Sequence, residues 1–199
     1  MAKLHYKLKA SDSDQHKFKK YLSEDEELVL ATGYGKTYLR QRFIIQLLIP
    51  GALFILAAII YFYFFKHLAL VYGLIWGFFL SILWSILQTW IIYQSHRYLL
   101  TTRRVIIKNG FFYIRLSSAL YDKITHIEVD QSLVDRFLLH HGKVIVNTAG
   151  ANKDELILKY VEYPVEFKNI LERLIHQERE YFRGSGEALE VVEGEVISE

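Results

Sequence analysis

The chain has 199 residues, 52% of them hydrophobic, a formal net charge of +2 and no cysteine. The absent thiols exclude disulfides, thiolate nucleophiles and cysteine-based metal sites, which suits a main body in the cytosol. The mean hydropathy of +0.13 averages two unlike parts, because Phe43 to Tyr93 holds one formal charge, Lys66, in fifty-one residues, whereas both flanks are basic.

Met1 to Lys20 is polar, with scattered lysines and a Ser-Asp-Ser-Asp run at 11–14. It reads as a mobile tail inside a cytoplasmic N-terminal segment, 1–42. Tyr21 to Thr32 passes from acidic residues at 24–27 to Leu28, Val29 and Leu30. That apolar run suits a strand or the start of a helix, and whether residues 21–32 join a later domain stays open. Gly33-Tyr34-Gly35-Lys36-Thr37 resembles the end of a phosphate-binding loop, but Leu30 stands where that motif needs its first glycine. The stretch therefore reads as a flexible joint, with Lys36, Arg40 and Arg42 at the level of lipid headgroups.

Residues 43–93 predict a two-helix transmembrane hairpin, 43–65 and 68–93, folded at Lys66 and His67. Phe43 to Phe65 lacks any charge and reaches roughly 35 Å as a helix, enough for a hydrocarbon core of about 30 Å. It starts after forty polar residues and has no small-residue cleavage site, so it is an anchor and not a removed signal. By the positive-inside rule, the basic flanks place both termini in the cytoplasm of a multi-pass protein. Tyr61 to Phe65 and Tyr72 mark the outer interface, Trp90 and Tyr93 the inner one, and Pro50 marks a kink. Gly73, Gly77, Ser81 and Ser85 form a small-residue stripe at every fourth position, where another helix can approach closely. Packing within the hairpin and contact with a second copy both remain open for this stripe. Folding at Lys66 and His67 also brings Gln46 to nearly the depth of Gln88 and predicts a hydrogen bond or shared water between them. No acidic or basic side chain lies inside either span, which argues against a transport pathway.

After Tyr98 the pattern turns to short β-rich runs: Leu99 to Thr102, Val105 to Lys108, Phe111 to Leu116, Thr125 to Val129, one beginning at Val144, and Leu156 to Tyr163. Asn109-Gly110 signals a hairpin turn. The strands predict an antiparallel β-barrel or sandwich, capped by a C-terminal α-helix that opens at Pro164 and repeats apolar residues at Phe167, Ile170, Leu171, Leu174 and Ile175. Gly184 and Gly186 are expected to end the order, leaving 183–199 as an acidic disordered tail after a domain spanning 96–182.

Candidate chemistry is sparse. His140 and His141 read as a loop pair whose rings diverge, and His126, Glu128 and Asp130 as a solvated strand face. Asp122, Asp130 and Asp135 have no partner acid or base at a defined separation. No catalytic residue, metal or cofactor is expected. Arg103, Arg104, Lys108 and Arg115 form the basic group of greatest interest, either as an anchor of topology or as an anionic-lipid contact.

Tyr98 to Thr101, Arg104-Val105-Ile106, Gly110, Ile124 to Val129, Gln131-Ser132, Arg136, Gly142 and Thr148-Ala149-Gly150 together resemble the bacterial pleckstrin-homology-like membrane proteins, the YdbS-like group. Ala119-Leu120 departs from the Ile-Pro-like turn common there. The resemblance implies a PH-like barrel with its C-terminal helix, tethered by two spans at the bacterial inner membrane. It also implies a basic loop between the first strands as the place for phosphorylated headgroups, and a part in envelope stress or defence. The expected role is a binding or scaffold module that uses the lipid bilayer and another membrane protein or a second copy as partners, not nucleic acid. An accessory subunit of a transporter or export complex is the alternative, and an enzyme at the membrane interface is a further one.

Overall fold

The computed structural model describes residues 5–6, 10–65, 70–133, 135–149 and 155–196. The expected hairpin tip at Lys66 and His67 lies outside these, as does Gly150.

Two long apolar helices, α2 (Lys36–Phe65) and α3 (Leu70–Ser95), lie against each other. Both are long and apolar enough to cross a membrane, by length and composition. Large side chains such as Leu48, Leu56 and Phe64 stay exposed on them. The glycine and serine stripe is the seam of the pair. A Cβ on Gly77 would lie 2.8 Å from Ile55 Cα, one on Gly51 would meet Ser81, and one on Gly73 would meet Phe62. Ser81 Oγ donates to Leu47 O at 3.4 Å, and Ser85 is fully buried. The stripe thus packs inside the hairpin, one of its two expected uses.

The direct hydrogen bond expected between Gln46 and Gln88 does not form at Gln46 Oε1. Gln46 is buried and its Oε1 has no hydrogen-bond partner. With Gly51 opposite Ser81 and Ile55 opposite Gly77, the same offset carries Gln46 opposite Ile86, two residues or about 3 Å from the level of Gln88. Ser85 Oγ and Thr89 Oγ1 are likewise buried without partners. The helix α2 also begins seven residues before Phe43, because Gly35 N–H donates to Tyr160 O at 2.8 Å and Lys36 N–H to the Glu162 carboxylate at 3.4 Å. That carboxylate satisfies an orphan donor and opposes the positive end of the helix.

Strands β1 (Leu28–Gly33), β2 (His96–Thr101), β3 (Arg104–Asn109) and β4 (Arg115–Leu120) form one antiparallel sheet in that order. Strands β5 (Ile124–Asp130), β6 (His141–Thr148) and β7 (Leu156–Glu162) form a second. The β1 pairing with β2 places residues 28–33 within the domain. Helix α4 (Pro164–Val196) closes the sheets with Phe167, Ile170, Leu171, Leu174 and Ile175 buried against Tyr98, Val105, Tyr121, Val144 and Leu158. The Ala119-Leu120 stretch leads into a 3₁₀ turn at Tyr121–Lys123, where the buried Tyr121 hydroxyl donates to Thr101 O at 2.8 Å.

Three expectations change. The described residues 10–20 of the N-terminal segment are not a mobile tail: they carry α1 (Asp12–Phe18), and Ala10 and Phe18 pack with Leu28, Leu99 and Ile106. Strand periodicity requires this, because Leu99 and Ile106 face away from the main core and a second cover has to keep them dry. The third β-run is displaced, since Gly110 at φ +96° opens a loop and β4 begins at Arg115. Finally, α4 continues through Gly184 and Gly186 to Val196. Each glycine costs about 1 kcal/mol against alanine in a helix, but neither removes a backbone donor, and the Glu-Ala-Leu-Glu that follows favours helix.

Candidate functional site

The four basic residues singled out in the sequence do not come together. Arg103 and Arg104 sit at the turn between β2 and β3, whereas Asn109 pairs with His96 and Arg115 at the other end of the sheet. At about 3.3 Å per residue, Lys108 and Arg115 lie more than about 12 Å along the strands from that turn. Arg104 is also engaged: its Nη2 lies 2.9 Å from Glu26 Oε2 and 3.0 Å from Ser23 Oγ, and its Nε lies 3.2 Å from Glu26 Oε2. Glu26, within the acidic run at 24–27, is thus the ion partner of the remote turn.

A different group gathers where the hairpin meets the domain. No linker separates α3 from β2, which begins at His96. Lys108 Nζ donates to Gln94 O at 3.3 Å and Lys17 Nζ to Gln94 Oε1 at 3.4 Å. Cations here complement the negative end of α3. Burial, and then the like charges of Lys20, Lys17 and Arg97, hold the Lys108 pKa below the usual lysine value. Arg97 stacks over the Tyr93 ring at 3.9 Å. Beside this group, the β3–β4 loop presents Phe111 against Trp90, with ring centroids 5.4 Å apart, while Phe112 is 93% and Tyr113 78% exposed. Reading Phe111 to Leu116 as a strand hid this loop. The available signal was four consecutive apolar residues, 111–114, without alternation.

The opposite side of the junction is an aromatic cage. Tyr34 stacks on His96 at 4.2 Å and Tyr38 on Tyr160 at 3.8 Å, and His141 meets Tyr160 edge-on at 5.5 Å. Tyr160 takes a left-handed φ of 54°, which presents its carbonyl to Gly35. Burial, with Tyr38 and Tyr160 beside it, pushes the Tyr34 hydroxyl up to about 12. The pair at 140 and 141 is no simple loop pair: His140 has φ 51°, while His141 opens β6 and is buried. Its Nδ1 lies 3.5 Å from Asp135 Oδ1 and its Nε2 has no partner. Burial lowers the His141 pKa, and Asp135 opposes that only in part.

The sign of the effect follows. A histidine pKa lower in the folded than in the unfolded chain makes the unfolded chain the better proton acceptor, so stability is full above about pH 6.5 and falls as pH drops toward the lowered value. Denaturant midpoints at pH 7.5 and 5.5 should therefore differ more in the native chain than in His141→Gln. An equal pH dependence in the two proteins would show that His141 does not titrate on unfolding.

His126 Nε2 lies 3.5 Å from Glu128 Oε1, with both side chains exposed. Among the described residues no three His, Asp or Glu side chains group to hold a metal ion.

Two antiparallel sheets closed by a C-terminal helix, with a basic and aromatic rim, define a PH-like domain joined to a helical hairpin. The family described as "Bacterial PH domain" matches residues 43–175, and the chain belongs to that family. The match begins inside α2, so it takes in most of the hairpin as well as strands β2 to β7, and leaves β1 outside. Among solved structures, the chain is similar to a DUF1696 family protein with a pleckstrin-homology domain from Shewanella loihica PV-4, at 11% identity and a TM-score of 0.42, over 88% of this chain and 99% of that one. It is also similar to a pleckstrin homology domain from Shewanella amazonensis SB2B, at 14% identity and a TM-score of 0.42, over 83% of this chain and 91% of that one. No curated protein matches the chain.

Proposed function

We propose that this chain is a membrane-anchored binding module: α2 and α3 cross the bacterial inner membrane, both termini face the cytoplasm, and the PH-like domain is held at the membrane surface. There it binds another protein or a second copy of itself and performs no catalysis. The observation that carries this is the direct splice of each apolar helix into the domain. Only Tyr34 and Gly35 separate β1 from α2, and nothing separates α3 from β2. Exposed apolar side chains surround both helices, and lipid is the solvent that makes such exposure favourable. Membership of a PH-like family supports the binding role, since such domains present surfaces to lipids or proteins. Docking as a transporter subunit through the glycine and serine stripe is less favoured, because α2 covers the stripe.

The absence of cysteine makes the topology directly measurable. In spheroplasts, a membrane-impermeant maleimide should label His67→Cys without lysis and Glu155→Cys only after lysis. Labelling of both positions from outside, or of Glu155→Cys alone, would overturn the arrangement.

A further inference from the structure

We propose that the β3–β4 loop and the basic side chains around the end of α3 form an anionic-phospholipid contact, in which Phe112 and Tyr113 enter the interfacial layer while Lys17, Lys20 and Lys108 hold headgroup phosphates. This rests on the membrane-anchored reading and adds which surface of the domain meets the bilayer and what chemistry it selects.

The depth of the loop is the first argument. Phe111 touches Trp90, which lies five residues before Ser95, or about 7.5 Å back along the α3 axis. The loop therefore reaches past the end of α3 to the level of an interfacial tryptophan, the zone where aromatic rings with apolar bodies accumulate. Gly110 at φ +96° makes the fold-back possible, since a Cβ there would collide with Tyr113 O. Side chains exposed to the degree of Phe112 and Tyr113 gain nothing from the domain's own core. The surface they continue is the apolar face of the hairpin, which fixes the kind of medium they meet.

Charge is the second argument. Two ammonium groups converge on Gln94, and Lys20 and Arg97 lie close enough to disfavour the charge on one of them. Among the described residues no carboxylate forms an ion pair with Lys17, Lys20, Arg97 or Lys108, whereas Arg104 at the remote end has its own Glu26. Uncompensated cations beside an apolar insert complement a negative bilayer surface, whose potential attracts basic groups within a Debye length. A second copy meeting this one through the same face offers no such match, because that face is equally basic.

The test uses the full chain in vesicles of phosphatidylcholine, alone or with about a third phosphatidylglycerol. An environment-sensitive fluorophore is placed at Tyr113→Cys or, as a depth control, at Leu56→Cys in the middle of α2, and shallow or deep spin-labelled lipids act as quenchers. The proposal predicts quenching of the Tyr113 probe by shallow label, stronger in anionic vesicles, and loss of that difference in Lys17→Gln/Lys20→Gln/Lys108→Gln with unchanged circular dichroism. A quenched Leu56 probe beside an unquenched Tyr113 probe would overturn this inference and leave the anchor intact. An unquenched Leu56 probe would overturn the anchor itself and this inference with it. A Tyr113 probe that responds to protein density and not to lipid quencher would assign the loop to self-association and refute the lipid contact. Quenching indifferent to phosphatidylglycerol would refute the headgroup role of the lysines.

Discussion

Phe167→Ala should lower the unfolding free energy of the PH-like domain by about 4 kcal/mol, the middle of the range for removing a buried phenylalanine ring. Phe167 is 0% exposed and lies one turn into α4, in the same core as Tyr98, Tyr121, Val144 and Leu158. It also receives Tyr6 edge-on, with ring centroids 6.1 Å apart. Truncation thus leaves a cavity where α4, both sheets and the N-terminal segment meet, and rigid strands on two sides limit its collapse. Equilibrium denaturation of the detergent-solubilised chain, followed by near-ultraviolet circular dichroism, measures the loss. A loss under about 1 kcal/mol would mean that α4 is not the closing element of the core.

Gly77→Leu should separate the hairpin helices at a cost of about 3 kcal/mol, the upper end expected for overpacking a close helix contact. The new Cβ would fall 2.8 Å from Ile55 Cα and 3.3 Å from Ala58 Cβ. The first of these is backbone and has no rotamer to yield. Substituting Phe79→Leu on the same helix changes an exposed side chain whose ring contact is with Trp76 of that helix, so it serves as the control. Midpoints of unfolding in mixed detergent micelles should fall for Gly77→Leu and hold for Phe79→Leu. Equal midpoints would place the seam elsewhere on α3.

Elements with a strong period were legible in the sequence. The uncharged runs announced two long helices, the every-fourth-residue glycines and serines marked their seam, and Phe167 to Ile175 marked the buried stripe of α4. Contacts that depend on register were not. Gln46 and Gln88 lie within about 3 Å of one level, as counting from the tip predicts, but no hydrogen bond reaches Gln46 Oε1, because a count along the axis does not say which way each side chain points. Phe18 sits in a polar stretch, and its partners Leu99 and Ile106 lie some eighty residues away, so no local period signals the burial. Arg103 and Lys108 are close in sequence but occupy opposite ends of one strand pair, and extension separates what adjacency had joined. The group at the end of α3 draws its lysines from α1, the 3₁₀ turn after it and β3, which only the folded sheet brings together.

The two long apolar helices leave the domain from hydrogen-bonded neighbours, β1 feeding α2 and β2 following α3, with Gly33 paired to Arg97 at the edge of the ladder. Gly33 has no room for a side chain, since a Cβ there would lie 2.5 Å from His96 O. Mechanically, this ladder is the hinge of a pair of tongs whose arms are each about 40 Å long. Opening the arms must shear β1 against β2, and tension between the two strands must pull the arms together. In the membrane-anchored arrangement proposed above, thickness or lateral pressure in the lipid would act on the sheet as a force, and a partner that grips the sheet would change how readily the arms part.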